Sequence, residues 1–300
     1  MEILKKIDMH IHAVPEIDVR CPDGTGYLTP PKARELYDRY GIEKGVLLPQ
    51  IAVSGHTDTL SMREARQLVE NYPDTFGWWF CNVAPVMGSN SPATDFSYFL
   101  MQLKEKGAKG VGELTCNYFF DDPFVLNLFS HCEKCGLPVL FHVGSNGGDY
   151  GLIDDLGLPR LEKALRLFPK LIFIGHSQKF WAEISADCTE ESRKGYPKGK
   201  VVEGRVPTLM RRYPNLHADL SACSGFNALT RDEEYAFRFM EEFRDRLYFG
   251  TDICTYQQAD GPQTKLSGWL DKHMQSGDIS YEVYRKISRD NALRLLTESA

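Results

Sequence analysis

The segment KKIDMHIHAVPE, Lys5 to Glu16, sets His10 and His12 two places apart in an apolar context, with Asp8 two places earlier. If it is a strand, side chains at i and i+2 share a face about 7 Å apart, so Asp8, His10 and His12 line one side and Ile7, Met9 and Ile11 the other. Two imidazoles on one face can share a cation. Further histidines and carboxylates stand in matching contexts downstream: Glu113 in VGELT, His142 in VLFHVG, His176 in FIGHSQ and Asp252 in YFGTDI. A polar group buried in such surroundings costs several kcal/mol unless it finds a partner. Four imidazoles and two carboxylates meeting at one place suit a borderline divalent cation such as zinc better than an all-oxygen magnesium or calcium site. Each residue alone has a plainer reading. A strand-end histidine can be a hydrogen-bonded core group, Glu113 a partner of Lys109, and Asp252 a helix N-cap.

To meet, these segments need an architecture that gathers strand ends. Short β-rich apolar runs recur at Ile7–Val14, Gly45–Val53, Phe76–Ala84, Ala108–Thr115, Leu137–Val143, Leu171–Ser177, Leu216–Ala222 and Leu247–Ile253. Amphipathic stretches lie between them, among them PPKARELYDRYG, SMREARQLVENYP, DFSYFLMQLKEKG and PFVLNLFSHCEKCG, and SYEVYRKISRDNALRLL closes the series. Eight strand–helix units predict an α/β fold, a parallel (β/α)8 TIM barrel, as one domain over residues 1–300. Segments running from helix to strand are short, as in EKGAKG and KCGLP. Those leaving the strands are long and polar, up to AEISADCTEESRKGYPKGKVVEGRVPTLM. Barrel sites sit at the C-terminal ends of the strands, which is where these long loops gather.

The bulk composition is that of an ordinary globular chain: 300 residues, 42% hydrophobic and 25% charged. Thirty-five basic against 41 acidic residues give a charge of −6, which argues against nucleic acid or an anionic membrane as partner. No apolar run is long enough to span a membrane and Met1–Lys6 lacks a signal core, so a cytoplasmic location is expected. The Cys132/Cys135 pair reads as a helix end rather than a metal or redox site, and the thiols as reduced.

The ordered set DMHIHA, LFHVG, FIGHSQ, GTDI and NALRLL resembles the amidohydrolase superfamily, and within it the amidohydrolase-related (amidohydrolase 2) branch of TIM-barrel metal-dependent hydrolases, which also includes decarboxylases. The resemblance spans nearly the whole chain and is not specific to a substrate. It implies a divalent metal, zinc first, as one or two ions. His10, His12, His142 and Asp252 would be ligands, with Asp252 also the proton acceptor. His176 would be a second-metal ligand, or alone an electrophile or acid, and Glu113 a bridge between two ions. The activity it implies is hydrolysis of an ester, lactone or amide of a small molecule, or non-oxidative decarboxylation of an unsaturated or aromatic carboxylate. A cationic carboxylate clamp would favour the second, with Arg20, Lys179 and Arg205 as the loop cations able to supply it. A metal-free Schiff-base barrel using Lys109 and a metal that merely holds the barrel mouth are the rivals outside this chemistry. Ser177, Gln178 and Lys179 beyond His176, and Ser221 at the active end of the seventh strand, are the expected substrate contacts, with His56 a further candidate. Trp181 is expected to pack, and a homo-oligomer is left open.

Overall fold

In the computed structural model, residues 2–20, 23–50, 60–148 and 150–298 are described. His56, and the last part of the expected second strand, lie outside them.

Among the described residues ten strands form: β1 (Lys6–Ile11), β2 (Ile42–Leu47), β3 (Phe76–Cys81), β4 (Ala108–Leu114), β5 (Cys116–Phe119), β6 (Val139–Gly144), β7 (Gly151–Ile153), β8 (Phe173–His176), β9 (Leu216–Asp219) and β10 (Leu247–Tyr248). Eight of them pair in the order β1-β2-β3-β4-β6-β8-β9-β10, every pair parallel. The ring closes where Met9 N donates to Phe249 O at 3.0 Å, His12 N to Ile253 O at 3.1 Å and Asp252 N to His10 O at 2.7 Å. This is the expected (β/α)8 barrel, with strands shorter than the apolar runs because several C-terminal residues bend away into the loops. β5 and β7 pair with each other, and β7 with β6, above the mouth; the apolar pattern did not announce this small outer sheet.

The helices α1 (Pro30–Tyr40), α2 (Met62–Asn71), α3 (Ser97–Glu105), α4 (Pro123–Cys135), α5 (Pro159–Leu167), α6 (Gln178–Ala182), α7 (Arg205–Arg212), α8 (Ala222–Thr230), α9 (Glu233–Phe243), α10 (Pro262–Ser276), α11 (Tyr281–Arg285) and α12 (Asn291–Glu298) lie between and after the strands. Incoming turns are tight. Gly41 ends α1 at φ 64° and Gly136 ends α4 at φ 64°, the left-handed conformation that lets a helix stop and a strand start at once. α4 opens as its sequence predicts, with Asp122 Oδ1 accepting from Phe124 N and Pro123 at the first position. Cys132 and Cys135 are buried in its last turns, as expected. No described helix is long and apolar enough to cross a membrane.

One detail of β1 departs from simple alternation. Ile7 and Met9 pack with Val46, Phe80, Leu140, Ile174 and Tyr248, each from a different strand, so they point into the barrel. The pairing register with β2 then shifts between Asp8 and Ile11. Asp8 therefore does not share the face of His10 and His12. Its carboxylate accepts from Tyr37 Oη of α1 (2.9 Å), Thr251 N (2.9 Å) and Thr251 Oγ1 (2.6 Å), and from His10 N at 3.0 Å. The irregularity turns both imidazoles inward at the mouth, above the apolar filling. Ala292, Leu295 and Leu296 of α12 join that filling.

Candidate active site

Six residues meet where the strands end. His10 belongs to β1 and His12 follows it; Glu113 is the penultimate residue of β4, His142 lies in β6, His176 closes β8, and Asp252 follows β10. His142 and His176 face each other in register across β6 and β8. The four histidines and Glu113 are buried, while the Asp252 side chain keeps 22% exposure. Asp252 is not an N-cap. It sits at φ 54°, a conformation that Asp tolerates better than most residues, and Thr255 caps the following 3₁₀ turn.

The rings are oriented by what stands behind them. His10 Nδ1 contacts Asp219 Oδ2 at 2.7 Å and His12 Nδ1 contacts the Leu48 carbonyl at 3.0 Å. Both partners are acceptors, so each ring carries its proton on Nδ1 and presents the Nε2 lone pair to the cluster. Those two Nε2 atoms stand 3.0 Å apart. Two lone pairs at that separation repel unless a cation lies between or beside them. Asp252 Oδ1 is 3.3 Å from His10 Nε2 and 3.4 Å from His12 Nε2, and Glu113 Oε2 is 3.7 and 3.6 Å from the same atoms. Tetrahedral ligands about 2.0–2.1 Å from an ion stand roughly 3.3 Å from one another. The four donor atoms thus fit a metal by spacing and by chemistry.

The other oxygen of each carboxylate points to a second group. Glu113 Oε1 lies 2.7 Å from His142 Nδ1 and 3.7 Å from His176 Nε2, and Asp252 Oδ2 lies 3.5 Å from His176 Nε2. Glu113 and Asp252 each divide their oxygens between the His10/His12 pair and the far histidines. Among the described residues, the sets able to gather three ligands are His10–His12–Asp252, Glu113–His142–His176 and His10–His176–Asp219. The third uses the Nδ1 atoms that already have hydrogen-bond partners.

Without an ion, protons carry the compensating charge. Burial opposes the His10 imidazolium, yet the charge of Asp252 and the bonds to Asp219 and Glu113 hold its pKa well above the ordinary value. His176 is likewise buried and beside His10, yet Asp219 and Asp252 bring it up to about 9. Burial opposes the Asp252 and Glu113 anions too, but the facing imidazoles hold both carboxyls well below the usual range. The result is a cage of fixed anions whose counter-charge is exchangeable, the electrostatic condition for binding a cation.

Asp219 has a part that the sequence reading missed. Fully buried at the end of β9, it accepts from His10, from Ser221 Oγ at 2.8 Å and from Ser221 N at 2.6 Å, and lies 3.4 Å from His176 Nδ1. The signal was present in LHADLSA: it is a strand-end carboxylate at the depth that drew attention to the other strands. Ser221 also falls differently from expectation. It is fully buried behind the histidines, 3.1 Å from His176 Nδ1, rather than on the substrate side.

Above the cluster opens a cavity of about 400 Å³. Five of the six cluster residues line it, joined by Tyr27, Gln50, Thr115, Asn117, Tyr150, Gln178, Tyr196, Ala222, Cys223, Ser224, Cys254, Gln258 and Gln263. Of the expected substrate contacts only Gln178 is on this wall. Ser177 is buried, accepting from Phe180 N at 3.3 Å as N-cap of α6 and from Val143 N at 3.1 Å. Lys179 is 3% exposed and off the wall, because α6 starts directly after β8 and turns that residue into the protein. Trp181 packs as expected, its Nε1 donating to Asp219 O at 2.9 Å. The clamp is absent: Arg205 bonds Gly157 O and Glu162, Arg20 bonds Gly24 O, and Lys109 is likewise off the wall.

Comparison with known proteins bears on the fold and the family. No curated protein matches the chain. Among solved structures, 2,6-dihydroxybenzoate decarboxylase from Rhizobium is 16% identical with a TM-score of 0.56, over 99% of this chain and 100% of that one. Amidohydrolase 2 from Bifidobacterium longum subsp. infantis is 13% identical with a TM-score of 0.54, over 98% and 99%. The 5-carboxyvanillate decarboxylase from Novosphingobium aromaticivorans, complexed with manganese and 4-hydroxy-3-methoxy-5-nitrobenzoic acid, is 17% identical with a TM-score of 0.56, over 98% and 96%. At such identities these likenesses speak for the fold alone. The family profile described as amidohydrolase (Amidohydro_2) matches residues 7–297, and the chain belongs to that family.

Proposed function

We propose that the protein is a metal-dependent hydrolase that opens an ester, lactone or amide bond of a small molecule at the barrel mouth. The observation that carries this reading is the division of Glu113 and Asp252, one oxygen of each to the His10/His12 pair and the other toward His176. His10, His12, Glu113 and Asp252 would hold one divalent ion; His142 and His176, sharing the far oxygens of the carboxylates, would hold a second. Zinc suits the nitrogen-rich set, and manganese, which the Novosphingobium enzyme carries, is the alternative.

When bound, such an ion brings the pKa of its water from ~15.7 to about 7 and polarises a substrate oxygen. The remaining work falls to side chains. Asp252 is ionised and reaches the cavity, so it accepts the proton of the attacking water and returns it to the leaving group. His176, on the cavity wall with Nε2 toward the cluster, stabilises negative charge on the substrate oxygen where no second ion takes that nitrogen. Asp219 and Ser221 hold the rings of His10 and His176 in place.

The fold shared with two decarboxylases sustains a second reading, loss of CO₂ from an aromatic or unsaturated carboxylate at the same metal. Its weak point is the wall: no lysine or arginine lines the cavity among the described residues, and all 35 are described. Metal analysis of the pure protein, with turnover of lactones, amides and aromatic carboxylates in ¹⁸O-water, decides between them. Metal-dependent ¹⁸O incorporation supports hydrolysis. CO₂ release without incorporation supports decarboxylation, and a protein that holds no transition metal refutes both.

A further inference from the structure

We infer that the substrate is an uncharged, hydroxyl-bearing ring of the lactone type, selected by the carboxamide and hydroxyl wall facing the metal cluster. This rests on the hydrolytic reading above. The wall beyond the cluster consists of carboxamides, hydroxyls, thiols and tyrosine rings, with no lysine or arginine among the described residues. A carboxylate on the non-reacting part of a substrate would lose its water there with no cation to meet it, close to Glu113 and Asp252. The first turn of α8 offers only about half an elementary charge, too little to replace a guanidinium.

The wall groups are also incompletely bonded, in a way that suits a polyol. Ser224 lines the cavity at 3% exposure, and its hydroxyl has no partner. A buried hydroxyl left unpaired is costly, and a substrate hydroxyl can both donate to it and accept from it. Gln258 Oε1 accepts from Cys254 N at 2.6 Å and Thr255 N at 2.9 Å, and Gln263 Oε1 accepts from Cys223 Sγ at 3.3 Å. Their NH₂ groups have no partner among the described residues and remain as donors to substrate oxygens. Gln178 donates its Nε2 to Tyr196 Oη at 3.3 Å and keeps its oxygen as an acceptor. Tyr150, 59% exposed, lays its ring 4.5 Å from that of His142 and gives the mouth a flat apolar surface for the C–H face of a ring.

The test is calorimetric binding to the metal-loaded protein of a polyhydroxylated δ-lactam, a neutral ring that resists hydrolysis, against the same ring bearing a carboxylate. The expected result is at least tenfold tighter binding of the neutral ring. Gln263→Leu and Ser224→Ala should each weaken it about five- to tenfold with metal content unchanged. Ser224→Ala should leave thermal stability equal or higher, which a structural role for this hydroxyl would not allow. Equal or tighter binding of the carboxylated ring, or no binding of either ring to fully loaded protein, overturns the inference and leaves hydrolysis standing. Release of CO₂ from an aromatic carboxylate without ¹⁸O incorporation removes the hydrolytic reading itself and the inference with it.

Discussion

Asp219→Asn tests the claim that the orientation of His10 is set from behind. The wild-type carboxylate takes two hydrogen bonds on Oδ2, from His10 Nδ1 at 2.7 Å and Ser221 Oγ at 2.8 Å, and one on Oδ1, from Ser221 N at 2.6 Å. An asparagine that keeps its oxygen on Ser221 N turns an NH₂ toward His10 Nδ1. That nitrogen must then accept, and the ring proton moves to Nε2, the atom aimed at the metal position. The opposite amide orientation sets NH₂ against the Ser221 N–H and leaves a buried donor unpaired. The first orientation satisfies every group by a tautomer change and so is the expected one, and it costs the His10/His12 position a ready ligand. Removing the partner behind a metal-binding histidine costs 10–100-fold in affinity, or about 1.4–2.7 kcal/mol. Because Asp219 also bears on His176 through Ser221, at 2.8 and 3.1 Å, the upper half of that range is expected. The assay is zinc competition against a chromophoric chelator on metal-stripped protein, with circular dichroism to show that the variant folds. Affinity within twofold of wild type in a folded variant refutes the positioning role.

Glu113→Gln keeps one acceptor oxygen but cannot bridge two ions, so bound metal per chain should fall from two to one by elemental analysis; an unchanged content of two would show that Glu113 is not the bridge. A Cβ on Gly225 would come within 2.2 Å of the Leu220 carbonyl oxygen, so Gly225→Ala must displace the first turn of α8. Urea denaturation should show a loss of about 1–3 kcal/mol, while Gly268→Ala, in α10 with nothing within 4 Å, should be neutral or stabilising by up to about 1 kcal/mol. His217 takes the Tyr248 hydroxyl proton on Nδ1 at 2.7 Å, and burial, with Arg246 and Arg294 nearby, drives its pKa down to about 3. From pH 6.5 down to about 3 the unfolded chain binds a proton that the folded one does not. This contribution to stability is therefore complete above 6.5 and falls by roughly 1.4 kcal/mol per pH unit below it. Urea midpoints at pH 7 and 5 should reveal about 2 kcal/mol of it in wild type and none in His217→Gln.

What could be read ahead of the structure follows from how each part is encoded. The barrel and its cluster rest on local signals: apolar runs that end in His or Asp, tight glycine turns on one side and long polar loops on the other. A parallel barrel converts strand-end positions into neighbours without further information, so His10, Glu113, His142, His176 and Asp252 could be assembled from their contexts. The errors arise where a backbone leaves that regular frame. Asp8 fell to the other side of β1 because one register shift cancels a two-residue alternation, and Lys179 turned inward because α6 begins one residue after Ser177. Ser221 continues past the end of β9 and so stands behind the rings instead of before them. The cavity wall is the least legible part for the same reason. Asn117 at φ 53° on β5, Tyr150 beside β7 and the glutamines beyond Thr255 are placed by loop-to-loop contacts, which no periodicity announces. The cluster is thus written in the frame, whereas the cavity wall is written in segments whose shape depends on the frame being already built. Substitutions at Gln178, Ser224 and Gln263 should accordingly change what is bound while leaving metal content intact, and substitutions at Asp219 should do the reverse.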